Sequence, residues 1–559
     1  MSTQGTPNAG TARTRRDFLK AGGAVAMASL SSPATLAASM SSAPYVPQRR
    51  AYDLVLRGGQ VLDGSGSAAR RLDIAVSNGR IAAMAAAITE HGTEEVDTHG
   101  MTVAPGFVDI HSHGDGGLRD DPRMESVIRQ GITTIVVGAD GSSRFTGDSG
   151  KAFSAWEART NALRPAVNLA SMIGLGTVRG AVVGDMDRKA SDTELARMTA
   201  MVERAVSEGA CGASSGLEYT PGAFASESEL VALCRPLSAR GLSYATHMRN
   251  EDDQLLESID ESIAVARGAR CGLQVSHLKQ QGTRNWHKID ACFARLAAAR
   301  AAGIAAWFDV YPYVAYATGL TNLFPTWARD GGDAAFLARL VDSATASRIR
   351  GETLAKVELI GGWDNVQISR VARAEDRDAE GKRLGAWAAA RQQDPYEATI
   401  GLLQRNNTDV GMLGFAMSED NLDRLLAHEF SMVCSDGGGF AIDGPTRRGS
   451  PHPRGAGTFP RVLGRHVRER RALSLEQAVH RMTARPASRV RLGDRGRLAV
   501  GQAADIVVFD PASVADTATF ANPFQYPVGI PHVVVNGHWA LRGGEHVGTG
   551  NGRVLRATT

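Results

Sequence analysis

The chain has 559 residues, of which 43% are hydrophobic and 22% are charged, and its formal net charge is +3. A chain of this length and composition can bury a large core, which excludes a disordered or fibrous protein. Its Lys and Arg residues are scattered and form no basic face with interleaved aromatic residues, so we expect no nucleic-acid partner.

The first residues carry the pattern of an export signal. Residues 14–20 (TRRDFLK) resemble the twin-arginine motif, and a weakly apolar stretch follows at residues 21–30. That stretch is much shorter than the ~20 apolar residues of a membrane-spanning helix. We therefore expect residues 1–42 to be a twin-arginine signal peptide, read by the twin-arginine export machinery. The mature protein would be periplasmic, with no membrane anchor.

Short apolar runs separated by glycine occupy both ends of the remaining chain. The Asn78-Gly79 pair lies between two such runs and is a strong hairpin signal. The same texture returns at residues 505–509 and 533–537. We predict that residues 50–103 and 490–559 together form one small β-sandwich domain.

Residues 104–489 alternate apolar strand-like runs with Ala-rich helical stretches, the pattern of repeated βα units. The length of this repeated pattern favours a (β/α)8 TIM-like barrel. An open sheet is less favoured, because no Gly-rich phosphate loop opens a first βα unit. Strand character is weaker at about residues 323–394, which predicts an insertion or lid over the site. The predicted fold class is therefore α/β.

The strongest local signal is the segment 105–113 (PGFVDIHSH). Alternate residues of a strand point the same way, so the side chains of His111 and His113 can hold one metal ion. Three further polar side chains each follow an apolar run: His247, His277 and Asp436. Barrel enzymes place their active sites at the C-terminal ends of the strands, so we expect all five side chains to converge.

This constellation resembles the amidohydrolase superfamily, which carries His-Xaa-His after strand one, single histidines after strands five and six, and an aspartate after strand eight. Within it, the segments 276–279 (SHLK), 309–313 (DVYPY) and 452–461 (HPRGAGTFPR) resemble the N-acyl-D-amino-acid deacylases, or D-aminoacylases. The likeness extends over nearly all of residues 50–559. Residues 501–510 are typical of the whole superfamily and support the fold only.

One position departs from the family pattern. D-aminoacylases usually read Gly-Asn-Cys-Gly after strand two, with the cysteine as a zinc ligand, whereas residues 138–141 read Gly-Ala-Asp-Gly. A carboxylate also ligates zinc and bridges two ions readily, so Asp140 favours a two-metal centre or a metal other than zinc. The alternative is that Asp140 only caps a turn before Gly141.

The resemblance also implies roles for these residues. His247, His277 and Asp140 would hold the tighter of one or two Zn²⁺ ions, while His111, His113 and Asp436 would line a second position. Asp436 would be the catalytic residue, taking a proton from water and passing it to the leaving amine. A divalent metal other than zinc is also compatible with these ligands.

Four residues resemble substrate contacts of the family: Lys279, Tyr311, Tyr313 and Arg454. The guanidinium of Arg454 suits the carboxylate of a small-molecule N-acyl amino acid. Two alternatives remain: Arg454 pairs with an internal acid such as Asp443, and the tyrosines beside Pro312 only pack.

The resemblance implies metal-dependent hydrolysis of the amide bond of N-acyl-D-amino acids. A dihydropyrimidinase or an isoaspartyl dipeptidase on the same scaffold is the nearest rival, but those enzymes carry a carboxylated lysine after strand four. Residues 209–222 contain no lysine. A non-catalytic binding protein on the same barrel is the other alternative, and the complete His and Asp set argues against it.

Overall fold

The computed structural model describes residues 51–148, 150–548 and 550–558, so the predicted signal peptide at residues 1–42 lies outside the described part. In chain order the strands are β1 (Tyr52–Val61), β2 (Arg70–Ser77), β3 (Arg80–Ala85), β4 (Gly92–Asp97), β5 (Thr102–Pro105), β6 (Phe107–Asp109), β7 (Ile132–Val137), β8 (Asn168–Ser171), β9 (Ile173–Gly174), β10 (Gly212–Gly216), β11 (Ser243–His247), β12 (Gly272–Val275), β13 (Ala306–Val310), β14 (Ala315–Gly319), β15 (Val366–Val371), β16 (Val410–Phe415), β17 (Ser431–Val433), β18 (Ile506–Phe509), β19 (His532–Val535), β20 (His538–Arg542) and β21 (Glu545–His546).

The α-helices of the same part are α1 (Glu125–Ile128), α2 (Phe153–Ala162), α3 (Leu175–Val182), α4 (Asp192–Glu208), α5 (Glu227–Ser238), α6 (Leu255–Ala269), α7 (Ile289–Ala301), α8 (Gly332–Val341), α9 (Ala346–Leu359), α10 (Leu384–Ala389), α11 (Pro395–Arg405), α12 (Glu419–Ala427), α13 (Arg454–Arg461), α14 (Leu475–Met482) and α15 (Ala484–Arg489). None of these described helices is both long and apolar enough to cross a lipid bilayer.

Strands β6 to β13 and β17 form a closed parallel barrel. β6, β7 and β8 pair in one group, and in the other β9 to β13 pair in chain order, with β17 beside β13. Only Met172 separates β8 from β9, and the backbone N–H of Asp436 donates to the carbonyl of His111 at 2.8 Å, which joins β17 to β6. Such strands are buried on both faces, which explains continuous apolar runs such as β7. The predicted barrel is confirmed.

Strands from both ends of the chain join one nine-stranded sheet that contains β1 to β5 and β18 to β21. Its β2–β3 hairpin returns to the segment before β18, where the N–H of Ala504 donates to the carbonyl of Gly79 at 2.9 Å. Alternate residues of β18 serve two cores: Ile506 and Val508 pack inside this sheet, while Val507 and Phe509 pack against the barrel. The last described residues of the predicted segment 490–559 leave the sheet, and the N–H of Leu555 donates to a carbonyl of β8 at 2.7 Å.

A buried polar network joins the sheet to the barrel. The carboxylate of Asp505 pairs with Arg495 and accepts hydrogen bonds from the Asn168 side chain at 3.2 Å and the Asn536 backbone at 2.7 Å. Asp505 and Arg495 are both buried. The segment 501–510, which is typical of the superfamily, therefore joins the sheet to the barrel through Asp505.

Replacing Asp505 with Ala should lower the free energy of unfolding by about 3–5 kcal/mol, because it leaves the Arg495 guanidinium buried without a counter-ion. Denaturant titration measures the change. Asp420→Ala, at an exposed aspartate, is the control and should change stability by less than about 0.5 kcal/mol. Equal stability of the two variants would contradict the proposed role of the network.

The insertion lies between β13 and β17. Its strands β14, β16 and β15 form a separate antiparallel sheet, with helices α8 to α11 around it. The insertion therefore begins at β14 and ends at β16, outside the predicted limits of about 323–394 on both sides. β14 pairs with β16 over its full length, from Ala315 opposite Phe415 to Gly319 opposite Gly411.

Candidate active site

The six side chains predicted to bind metal converge at the C-terminal ends of the barrel strands. His111 and His113 follow β6, and Asp140 follows β7. His247 ends β11, while His277 and Asp436 come shortly after β12 and β17. They form two groups whose ligand atoms lie within 4.8 Å of one another, and Asp140 belongs to both.

The first group contains His111, His113, Asp140 and Asp436. The Oδ2 atom of Asp140 lies 3.3 Å from the Nε2 atoms of both histidines. The Oδ1 atom of Asp436 lies 3.5 Å from Nε2 of His111 and 3.1 Å from Nε2 of His113. Two carboxylates and two imidazoles thus face a common centre.

The second group contains Asp140, His247 and His277. The Oδ1 atom of Asp140 lies 3.5 Å from Nε2 of His277, and Nδ1 of His247 lies 3.0 Å from the same Nε2. Asp140 therefore presents one carboxylate oxygen to each group. This is the arrangement expected of a bridging ligand.

Backbone strain accompanies these positions. Asp140, His277 and Asp436 have φ angles of 49°, 35° and 49°, in the left-handed region that residues other than glycine rarely adopt. Strained conformations of this kind concentrate at functional sites, where the surrounding structure holds them in place. Each of the three turns its side chain out of its strand end and into the cluster.

The charges of the cluster shift its ionisation. Burial opposes ionisation of Asp140, but the facing imidazoles of His111 and His277 hold its pKa well below the ordinary value. Burial lowers the pKa of His113, but hydrogen bonds to Asp140 and Asp436 outweigh that effect and raise its pKa to about 9. The cluster thus holds protons that a bound cation would displace.

The donors fit a zinc-type ion. Imidazole nitrogen and carboxylate oxygen are both ordinary zinc ligands. The Oδ1 atom of Asp140 is buried and has no hydrogen-bond partner within the protein. Nδ1 of His247 and Nε2 of His277 lie 3.0 Å apart, so the lone pairs of both nitrogens can bind the same cation. His247, His277 and Asp140 would hold one ion, and His111, His113 and Asp436 would complete a second position with Asp140.

Two glutamates that the sequence analysis missed support the histidines. Oε1 of Glu251 lies 3.1 Å from Nδ1 of His277, and Oε2 of Glu218 lies 3.2 Å from Nε2 of His247. If each histidine binds a metal through its other nitrogen, each glutamate accepts the remaining ring proton. Such contacts fix the tautomer and orientation of a metal-bound imidazole.

Asp309 supports two elements of the cluster at once. Its Oδ1 accepts a hydrogen bond from the backbone N–H of His277 at 2.7 Å and lies 3.4 Å from Nδ1 of His111. Its Oδ2 accepts from Gln274 at 2.6 Å. The carboxylate is fully buried, and it links the segments that follow β6 and β12.

A cavity of about 540 Å³ opens beside the cluster, and three of the four predicted substrate residues line it: Lys279, Tyr311 and Arg454. Lys279 donates to Glu251 at 2.7 Å, and Arg454 lies 2.9 Å from Oδ2 of Asp436 and 4.6 Å above the Tyr311 ring. Arg454 thus pairs with an internal acid, as the alternative allowed, but that acid is Asp436; Asp443 pairs with Arg123 at 2.9 Å.

Tyr313 does not line the cavity, contrary to its predicted role as a substrate contact. Its ring packs against His452 and Phe520, and its hydroxyl donates to Asp516 at 3.5 Å. Adjacent tyrosines on either side of Pro312 thus separate into one cavity residue and one packing residue. The packing alternative raised by the sequence applies to Tyr313 alone.

Comparisons with known proteins agree with this geometry. A model of the amidohydrolase family matches residues 439–539. N-acyl-D-glutamate deacylase of Alcaligenes xylosoxydans xylosoxydans is 36% identical over 87% of this chain and 93% of its own length, and D-aminoacylase of the same organism is 35% identical over 91% and 98%.

A solved structure extends the likeness to three dimensions. N-acyl-D-glutamate deacylase from Bordetella bronchiseptica, crystallised with zinc and a phosphonate mimic of the tetrahedral intermediate, superposes with a TM-score of 0.77 at 33% identity. The match covers 90% of this chain and 100% of that one. The chain therefore belongs to the N-acyl-D-amino-acid deacylase (D-aminoacylase) family of amidohydrolases.

Proposed function

We propose that the protein hydrolyses the amide bond of N-acyl-D-amino acids, with one water consumed and a carboxylic acid and a free D-amino acid released. The observation that carries this proposal is the convergence of four histidines and two aspartates on a cavity that also contains Arg454. The deacylase relatives supply the D configuration, which no residue pattern indicates.

The side chains that line the cavity have separate roles in the proposed reaction. Zinc, when bound, supplies a Lewis acid and lowers the pKa of water from 15.7 to about 7. Asp436 accepts the proton of the attacking water and delivers it to the leaving nitrogen. Arg454 binds the substrate carboxylate through its buried Nε, which has no partner within the protein, while its Nη1 lies 2.9 Å from Oδ2 of Asp436. Tyr311, whose buried hydroxyl also has no partner, donates to the substrate.

Removal of metal should abolish the activity. The purified protein is expected to release methionine from N-acetyl-D-methionine and not from the L enantiomer, and dialysis against a chelator should stop the reaction. Zinc added back should restore it, since the donors remain in place. Turnover that survives complete metal removal would contradict the proposal, as would equal rates for the two enantiomers.

We also propose that the protein is exported to the periplasm by the twin-arginine pathway. Support comes from the sequence TRRDFLK at residues 14–20. Fusion of residues 1–42 to a reporter that is active only after export tests this, with Arg15→Lys/Arg16→Lys as the control that should block export. Equal export of both fusions would contradict it.

A further inference from the structure

The family relatives differ in the side chain of their substrates, so family membership does not determine which substrate side chain this protein accepts. Resting on the proposed function, we infer that this protein selects N-acyl-D-amino acids with an uncharged side chain and discriminates against acidic ones. Glu218 is the residue to which the structure assigns this discrimination. The argument rests on the charges that line the cavity.

Apart from Glu218, the described cavity walls away from the metal cluster are built from neutral residues. One wall, after β7 and at the start of α3, presents Ser142, Gly176, Thr177 and Gly180. The opposite wall is built by the segment after β10, by β14 and by the turn that follows β14, and it contains Tyr219, Tyr316, Thr318 and Asn322. Glu218 is the charged side chain on these two walls, among the residues that the structure describes.

The fixed cations of the described lining, Lys279 and Arg454, already have partners. Lys279 lies 2.7 Å from Glu251, and Arg454 lies 2.9 Å from Asp436. The α-carboxylate of the substrate occupies the remaining donors of Arg454 in the proposed function. A second carboxylate, at the end of a substrate side chain, would therefore enter the cavity without a free cation to pair with. An unpaired charge in a partly desolvated site is costly.

Glu218 makes the wall beside β14 unfavourable for an anion. Its Oε2 accepts hydrogen bonds from His247 at 3.2 Å and from the side chain of Asn322 at 3.1 Å. Its side chain retains 10% exposure, at the cavity. A carboxylate is ionised at neutral pH and repels a substrate carboxylate, whereas it accepts a hydrogen bond from an amide or hydroxyl.

Lys356 is a cation near Glu218, but its ammonium is paired with another carboxylate. Its ammonium lies 2.5 Å from Asp252 in a partly buried pair, and the residue does not line the cavity. Arg329 is also buried there and donates to the backbone carbonyl of Glu218 at 2.8 Å. Neither Lys356 nor Arg329 belongs to the described lining of the cavity.

The test compares N-acetyl-D-glutamine with N-acetyl-D-glutamate, which have the same shape and differ in charge. The wild type is expected to favour the glutamine substrate in kcat/KM by about tenfold or more. Glu218→Gln should lower that ratio at least threefold, and zinc content is measured in both proteins. Because a ratio is compared, a uniform loss of activity in the variant cancels. Glu352→Gln removes an equal charge from the surface of the insertion and should leave the ratio unchanged.

Three results would overturn the inference. Equal or faster turnover of the glutamate substrate by the wild type would show that acidic side chains are accepted, and this does not depend on how any variant folds. An unchanged ratio in Glu218→Gln would remove Glu218 as the cause. Failure to hydrolyse either substrate and also N-acetyl-D-methionine would contradict the proposed function itself, and the inference with it.

Discussion

Replacing Asp436 with Asn is expected to lower kcat for amide hydrolysis by about 10²–10⁴-fold, the usual contribution of a general acid–base residue. The amide keeps the shape of the side chain but does not accept the proton of the attacking water. His111, His113 and Asp140 remain in place, so the variant should retain most of its metal. Turnover and metal content are measured on the same preparations.

Asp443→Asn is the matched control, because Asp443 lies in the same loop region but pairs with Arg123 at the surface. It should leave kcat within about twofold of the wild type. An Asp436→Asn variant that keeps more than a tenth of wild-type kcat would show that another group moves the proton. Complete metal loss in that variant would show instead that both metal positions depend on Asp436, so that the fall in kcat would not report proton transfer.

Replacing Asp140 with Ala should remove metal as well as activity. Its two carboxylate oxygens face different groups, with His113 at 3.3 Å on one side and His277 at 3.5 Å on the other. Loss of both contacts should reduce the metal content from about two ions per chain to one or none and lower kcat/KM by at least about 100-fold. Elemental mass spectrometry of protein purified without chelator measures the first effect.

Asp140→Cys is a second variant, to be compared with Asp140→Ala. It places at this position the thiolate that the family pattern carries, so a metal held with His247 and His277 should persist. An Ala variant with full metal content would reduce Asp140 to a turn residue, the alternative that its position before Gly141 leaves open. A Cys variant as empty as the Ala variant would mean that a carboxylate is required.

The four candidate histidine ligands could be predicted because their positions follow from the geometry of the fold. Each predicted ligand comes at the end of an apolar run, and parallel strands bring those ends to one rim. Asp140 could be predicted from its spacing after β7 and from the family pattern. The part of the candidate site that lies at strand ends could therefore be predicted from local sequence.

Glu218, Glu251 and Asp309 could not be predicted in the same way, because their roles depend on contacts between segments far apart in sequence. Glu251 is an acid within a loop, and only the packing of β11 beside β12 brings it to His277. The limits of the insertion were missed for a similar reason, since β14 is defined by its antiparallel partner β16. The one available signal for Asp309 was its place at the end of a strand run, before Tyr311.

Asp140 also changes how the centre responds to oxidants. Every side chain in the two candidate metal groups that contain Asp140 is a histidine or an aspartate, and the five cysteines are buried free thiols outside them. A thiolate ligand can be oxidised to a sulfenic acid and onward, whereas a carboxylate is not part of that chemistry. Peroxide or a thiol-oxidising environment would thus leave the ligand set of this centre intact, where a cysteine-bridged centre would lose its bridge.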